Sequence, residues 1–166
     1  MKQLIILFAI LIGMMLFVYW SSKPGNLENL VSRTTTSIQT TQGQEKTVKI
    51  GDNKIVVSVA KTDEERRVGL SGRDSLIEGS GMLFVLEPNI KPSFWMKGVK
   101  FPLDIIWIDD GKVVEVTPDI QPVDASTMAI PTYAPTKPAD YALEIPAGEA
   151  KEKNIKAGDK VELPAL

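Results

Sequence analysis

The chain has no cysteine and no histidine among its 166 residues. The first absence removes thiol nucleophiles, disulfides and thiolate metal sites. The second removes the usual neutral-pH general base and the commonest metal ligand. Any catalysis must therefore rest on carboxylates, Lys, Arg, Tyr, Ser or Thr, and any metal site on oxygen ligands or methionine sulfur. An excess of positive charge is missing too. The formal net charge is -2, and from Thr47 onward 15 Lys/Arg stand against 19 Asp/Glu. No basic stripe forms, which argues against nucleic acid as a partner. Neither a cofactor nor a metal is expected.

What the chain does have begins at its amino terminus. Leu4 to Trp20 is a run of 17 residues without a charge. As a helix it would reach about 26 Å, close to the hydrocarbon thickness of a bilayer, and Tyr19-Trp20 closes it as interfacial aromatics do. The run is long for a signal-peptide core, and Val18-Tyr19-Trp20-Ser21-Ser22-Lys23 offers no clear small-residue cleavage site. The reading favoured is an uncleaved transmembrane signal anchor over 1–20, with a cleaved signal peptide as runner-up and a buried helix as the remaining alternative. Both leading readings place the rest of the chain outside the cytosol, with the membrane as one partner.

Residues 21–46 are rich in Ser, Thr, Gln and Asn and hold few large apolar side chains. Such a segment buries too little to offset its ordering entropy and reads as a flexible linker. The domain is expected over 47–166. Val48 and Ile50, then Ile55, Val57 and Val59, alternate with polar residues around an Asp52-Asn53 turn, predicting a hairpin. Thr62 with Glu65 three residues on is a capping box for a short helix that Gly69 and Gly72 end. Met82 to Leu86 is a continuous apolar run, predicting a strand buried on both faces. Ser93 to Lys97 and Leu103 to Ile108 read as strands. Asp109-Asp110-Gly111 turns the chain into Lys112 to Thr117. Five prolines from Pro118 to Pro138 predict an irregular stretch, with a possible strand near Ile120. Tyr141 to Ile145, a short helix to about Lys153, and Lys160 to Leu163 complete the order. The fold class expected is mostly β with two short helices (α+β), a compact, partly closed antiparallel β-barrel.

Several pieces of this order resemble the DUF192 (UPF0127) family. They are Arg66-Arg67-Val68-Gly69-Leu70-Ser71-Gly72-Arg73, then Gly81-Met82-Leu83-Phe84, Phe94-Trp95-Met96-Lys97 and Pro102-Leu103-Asp104-Ile105-Ile106. Tyr141-Ala142-Leu143-Glu144-Ile145 with Ala147-Gly148, and Ile155 to Val161, complete the match. Ser71 stands where the family tends to have Met, and Gly98-Val99 where Asn-Thr is common. The resemblance implies a fold and an extracytoplasmic or membrane-linked location. It implies no reaction, because the family is uncharacterised.

The candidate site residues are Arg73, Trp95, Lys97, Asp104 and Glu144. On a strand, Asp104, Ile106 and Ile108 share one apolar face and Leu103, Ile105 and Trp107 the other. Asp104 is therefore expected to be buried, and a buried carboxylate needs a cation or several donors. Arg73 is the first expected partner because guanidinium grips carboxylate in two places; Lys97 is the second. Glu144 faces away from Tyr141, Leu143 and Ile145, and belongs either to a rim or to the same polar cluster. Trp95 offers a flat face to a ligand. Against this stands a structural ion pair with Trp95 and Met96 as core.

Other chemistries are thinner. Asp104 and Glu144 could serve as acid and base in glycoside cleavage. Met82, Met96 and Trp95 could hold a soft metal. Ser93 and Lys97 sit too far apart on a strand to form a dyad, and Asp109-Asp110-Gly111 is explained by its hairpin before calcium is invoked. The function expected is a membrane-tethered extracytoplasmic module that binds an envelope glycan or protein without catalysis. A carboxylate-dependent hydrolase of envelope carbohydrate is the alternative, and a purely structural module the second alternative.

Overall fold

The computed structural model describes residues 12–16, 19, 46–88, 91–124 and 129–166. The chain divides into two compact units, Met1–Gln42 and Gly43–Leu166. In the first unit, residues 12–16 and 19 are helical. Among the described residues no helix is long and apolar enough to cross a membrane. This corrects the expected transmembrane signal anchor over 1–20, and with it the membrane as a partner and the membrane-anchored location. The rest of 1–20, and the expected linker up to residue 45, lie outside the described residues.

The second unit is built on strands. β1 (Lys46–Ile50) and β2 (Asn53–Ala60) form the expected hairpin, with Val48 opposite Ile55. A helix, α1 (Asp63–Val68), follows through the predicted capping box. The Glu65 amide donates to the Thr62 hydroxyl at 3.2 Å, and the Glu65 carboxylate accepts from the Thr62 amide at 2.9 Å. The helix stops at Gly69, whose φ of 48° is open to glycine at little cost. β3 (Ser80–Val85) then lies parallel to β2, because the chain has crossed over by way of α1. The sequence pattern, read as tight antiparallel connections, did not carry this one parallel pair.

The remaining elements are β4 (Phe94–Trp95), β5 (Leu103–Asp109), β6 (Lys112–Ile120), β7 (Thr132–Tyr133), β8 (Tyr141–Pro146), α2 (Glu149–Glu152) and β9 (Val161–Glu162). Seven strands form one sheet in the order β6-β5-β8-β3-β2-β1-β9, while β4 and β7 pair separately. The sheet curls until its edges meet. The Val113 amide donates to the Asp159 carbonyl at 2.9 Å, Gly158 to Val113 at 2.8 Å, and Val161 to Gly111 at 2.8 Å. The result is the expected mostly β, partly closed barrel.

Each face of the sheet has its own apolar core. One takes Val113, Ile106, Leu143, Leu83, Ile55, Val48 and Val161 from all seven strands in turn, so it fills the barrel interior. The other, on the outer face, gathers Phe84, Met96, Ile105, Trp107 and Ala142 under Leu70 and the β4 segment. Phe94 packs edge-on against Phe84 at 5.0 Å and against Trp107 at 5.3 Å. Such pairs add specific geometry to the area they bury.

Candidate functional site

The outer layer leaves a cavity of about 420 Å³ between α1, the end of β3 and β4. Its apolar walls come from Leu70, Phe84, Phe94 and Val99, with Trp95 also lining it. The opening is set by two docked segments. Arg66 donates from Nη1 to the Val85 carbonyl at 2.9 Å and to the Lys61 carbonyl at 2.5 Å, which fixes α1 to the end of β3. After α1, the Ser71 hydroxyl donates to the Lys97 carbonyl at 2.6 Å and the Gly72 amide to the Gly98 carbonyl at 2.9 Å. The two departures from the family pattern, Ser71 and Gly98, therefore meet in space. A Cβ on Gly98 would come 3.3 Å from that of Ser71.

Glu144 also lines the cavity. It lies on β8 between Met82 of β3 and Ile105 of β5, so apolar side chains flank it on the same face. It is only 5% exposed. Among the described residues no side chain or amide donates to its carboxyl. Burial alone pushes its pKa up to about 8 because the charged form is the one that loses solvation. The nearby cations are already engaged. Arg66 pairs with Asp63, and Arg67 donates to Glu64 at 2.9 and 2.5 Å. Glu144 is thus a carboxyl that keeps its proton at neutral pH and has no partner in its own chain among the described residues.

Of the five candidates from the sequence, Trp95 and Glu144 line this cavity; Arg73, Lys97 and Asp104 are not among its lining residues. Trp95 is 49% exposed. Asp104 is fully buried, as expected, but its partners are backbone amides and not Arg73 or Lys97. Its Oδ1 accepts from Asp119 at 2.8 Å, and its Oδ2 from Gly148 and Ala150, both at 3.0 Å. It ties β5 to the left-handed residue Asp119 (φ 54°) and to the first turn of α2. Arg73 is exposed, with Nη2 at 3.5 Å from the Ser58 hydroxyl. Lys97 is exposed and offers its carbonyl, not its ammonium, to the loop after α1.

The carboxylate pair weighed for glycoside cleavage does not form. Asp104 is paired in register with Ile145, and Glu144 with Ile105. The two carboxyls therefore leave opposite faces of the sheet. Met82 and Met96 are buried in the outer core. Among the described residues no cluster of three carboxylates is placed to hold a metal ion.

Sequence reasoning passed over Arg66, Phe84 and Phe94 as cavity residues. It also passed over Glu149, which is buried with Oε1 accepting from the Gly79 amide at 2.9 Å and Oε2 lying 3.3 Å from the Lys153 ammonium. The spacing Gly148-Glu149 at a helix start was the one available signal for Glu149. Nothing local announces that a β3 residue, Phe84, and a β4 residue, Phe94, meet.

Comparison with known proteins adds four findings. Residues 46–163 match the DUF192 family, described as an uncharacterized ACR. A crystal structure of a protein of unknown function from Novosphingobium aromaticivorans is similar at a TM-score of 0.65. It is 29% identical, over 75% of this chain and 90% of that one. A crystal structure of a "putative transcription regulator" from Sinorhizobium meliloti is similar at a TM-score of 0.63. It is 27% identical, over 71% of this chain and 92% of that one. No curated protein matches.

These findings correct the function expected from the sequence. One similar structure, from Sinorhizobium meliloti, is described as a "putative transcription regulator", and among the described residues no helix is long and apolar enough to span a membrane. A membrane-tethered, extracytoplasmic module binding envelope glycan or protein is not supported, nor is the envelope hydrolase whose two carboxyls face apart. With 118 of its residues (46 through 163) inside the family match, the chain belongs to the DUF192 family.

Proposed function

We propose that the domain is a non-catalytic small-molecule-binding module whose ligand enters the outer-face cavity and ends against Glu144. The observation that carries this reading is the Glu144 carboxyl itself: buried, unpartnered among the described residues, and set in an apolar cavity. A ligand with a complementary group would pair a carboxyl that the described chain itself leaves unpaired. The cavity volume falls in the range of small-molecule sites, roughly 300–1,000 Å³. Of the five sequence candidates, Trp95 and Glu144 are assigned to this site; Arg73 and Lys97 lie outside it and Asp104 is structural.

The description of the Sinorhizobium meliloti relative as a "putative transcription regulator" is compatible with this reading, because regulators are commonly controlled by a bound small molecule. The excess of Asp and Glu over Lys and Arg from Thr47 onward favours a small-molecule ligand over nucleic acid for this domain. The test is a ligand-observed NMR screen of a fragment library on the full chain. Hits should be lost in Trp95→Ala and in Glu144→Leu while both variants still unfold cooperatively. Hits that survive both substitutions would place binding elsewhere and remove the reading.

A further inference from the structure

We infer that this cavity is built for a neutral molecule with an apolar body that presents an amide-type edge, an N–H beside a C=O, to the Glu144 carboxyl. The inference rests on the binding reading above and deepens it.

The groups that face Glu144 decide the ligand's chemistry. From β3 and β5 its neighbours in register are Met82 and Ile105, both apolar. From α1 the cavity receives Asp63, Arg66 and Arg67, and from the segment after β3 it receives Glu87. Arg66 is held by Asp63 and two carbonyls, and Arg67 by Glu64. None of these groups donates to Glu144 or pairs with it, and burial among apolar neighbours favours its protonated form. A protonated carboxyl carries one O–H donor and one carbonyl acceptor side by side.

An amide-type edge satisfies both at once. Its N–H donates to the Glu144 carbonyl oxygen while its C=O accepts from the Glu144 hydroxyl. An ammonium ligand satisfies only the acceptor and must bring its own charge into an apolar site. A carboxylate ligand meets Asp63 and Glu87 in the lining and must compete with Asp63 and Glu64 for Arg66 and Arg67. The walls set the body's character: Phe84 and Phe94, packed edge-on to each other, and the half-exposed Trp95 ring suit an apolar, aromatic body.

Three bicyclic probes of similar size separate the alternatives on the full chain: 2-quinolinone, 2-naphthylmethylamine and 2-naphthoate. Binding is read by calorimetry at about pH 6.5 and about pH 9. The quinolinone should bind best, and roughly tenfold more weakly at the higher pH, as the protonated fraction of Glu144 falls. Glu144→Gln keeps a donor beside an acceptor, so it should retain quinolinone binding and lose the pH dependence; Glu144→Leu should lose binding. Should Glu144→Leu fail to fold, the pH profile of Glu144→Gln still decides. Preference for the amine or the naphthoate, or quinolinone binding that ignores pH in the parent chain, overturns the ligand class and leaves the cavity as a binding site. Silence from all three probes together with an empty fragment screen overturns both readings.

Discussion

Asp104 and Glu144 lie on hydrogen-bonded neighbouring strands, one residue out of register, and their carboxyls leave opposite faces of the same sheet. Asp104 points toward the barrel interior and finds three backbone amides. Glu144 points toward the outer layer and finds none among the described residues. Two carboxyls on neighbouring strands thus take opposite roles. One organises the fold, and the other lines the cavity without a partner among the described residues.

Asp104→Asn should destabilise the domain by about 3 kcal/mol. The amide keeps one acceptor oxygen but turns its NH2 toward backbone donors, and hydrogen bonds to a charged group contribute roughly 1.5–3 kcal/mol. Arg73→Met should change stability by no more than about 0.5 kcal/mol, because Arg73 is exposed and does not touch Asp104. Urea denaturation of the two single variants and the double variant checks this. The effects should add, and a coupling above about 0.5 kcal/mol would mean that the two side chains interact after all.

Gly81→Ala should cost about 3 kcal/mol, at the upper end of ordinary overpacking. A Cβ there would fall 2.5 Å from the Glu144 carbonyl oxygen, 3.0 Å from Ile145 Cγ2 and 3.2 Å from Leu143 Cδ1. The nearest atom is backbone in a central strand, so it cannot swing aside. β3 runs between β2 and β8, and separating β3 from β8 should disturb the cavity floor as well. A thermal melt of the variant within a degree or two of the parent would show that the sheet gives way more easily than this geometry allows.

The sequence carried the barrel well because its signals were local. Alternation marked β1 and β2, Thr62 and Glu65 marked α1, and Asp109-Asp110-Gly111 marked the β5–β6 hairpin. Burial of Asp104 was legible from the apolar faces on both sides of β5. Its partners were not, since Asp119, Gly148 and Ala150 are brought in by backbone geometry that side-chain type does not reveal. Reaching for a cation was the wrong inference, because backbone amides satisfy a carboxylate equally well. The cavity was half legible. Trp95 and Glu144 stood out as an aromatic and a lone carboxyl, but Arg66 and Phe84 join them only through the α1 crossover and the parallel β2–β3 pair. The β4–β7 pairing spans a proline-rich stretch where periodicity gives no register.

Trp107 provides a further test of the outer core. Its indole N–H donates to the Thr117 hydroxyl at 2.9 Å across the β5–β6 pair, and Trp107 is fully buried. Thr117→Val keeps the shape and removes the acceptor, leaving a buried donor unsatisfied at a cost of roughly 1–3 kcal/mol. Thr117→Ser should retain most of the lost stability. Equal denaturation midpoints for the valine variant and the parent would show that the indole finds another acceptor.

The pH dependence of stability should carry the signature of Glu144. Its pKa in the folded chain is raised by burial from 4.5 to about 8. Between these values the folded state holds a proton that the unfolded state has released. Stability therefore falls as pH rises through this window, by at most about 1.4 kcal/mol per pH unit from this group, and levels off above about pH 8. Glu144→Gln removes the titration. The difference in unfolding free energy between variant and parent should thus grow in favour of the variant from about pH 5 to about pH 8, reaching a few kcal/mol. Other carboxylates titrate in both proteins and cancel in the difference. A difference that stays flat across this range would mean that Glu144 titrates in the folded chain as it does in the unfolded one, and the protonated carboxyl on which the amide-edge inference depends would be lost.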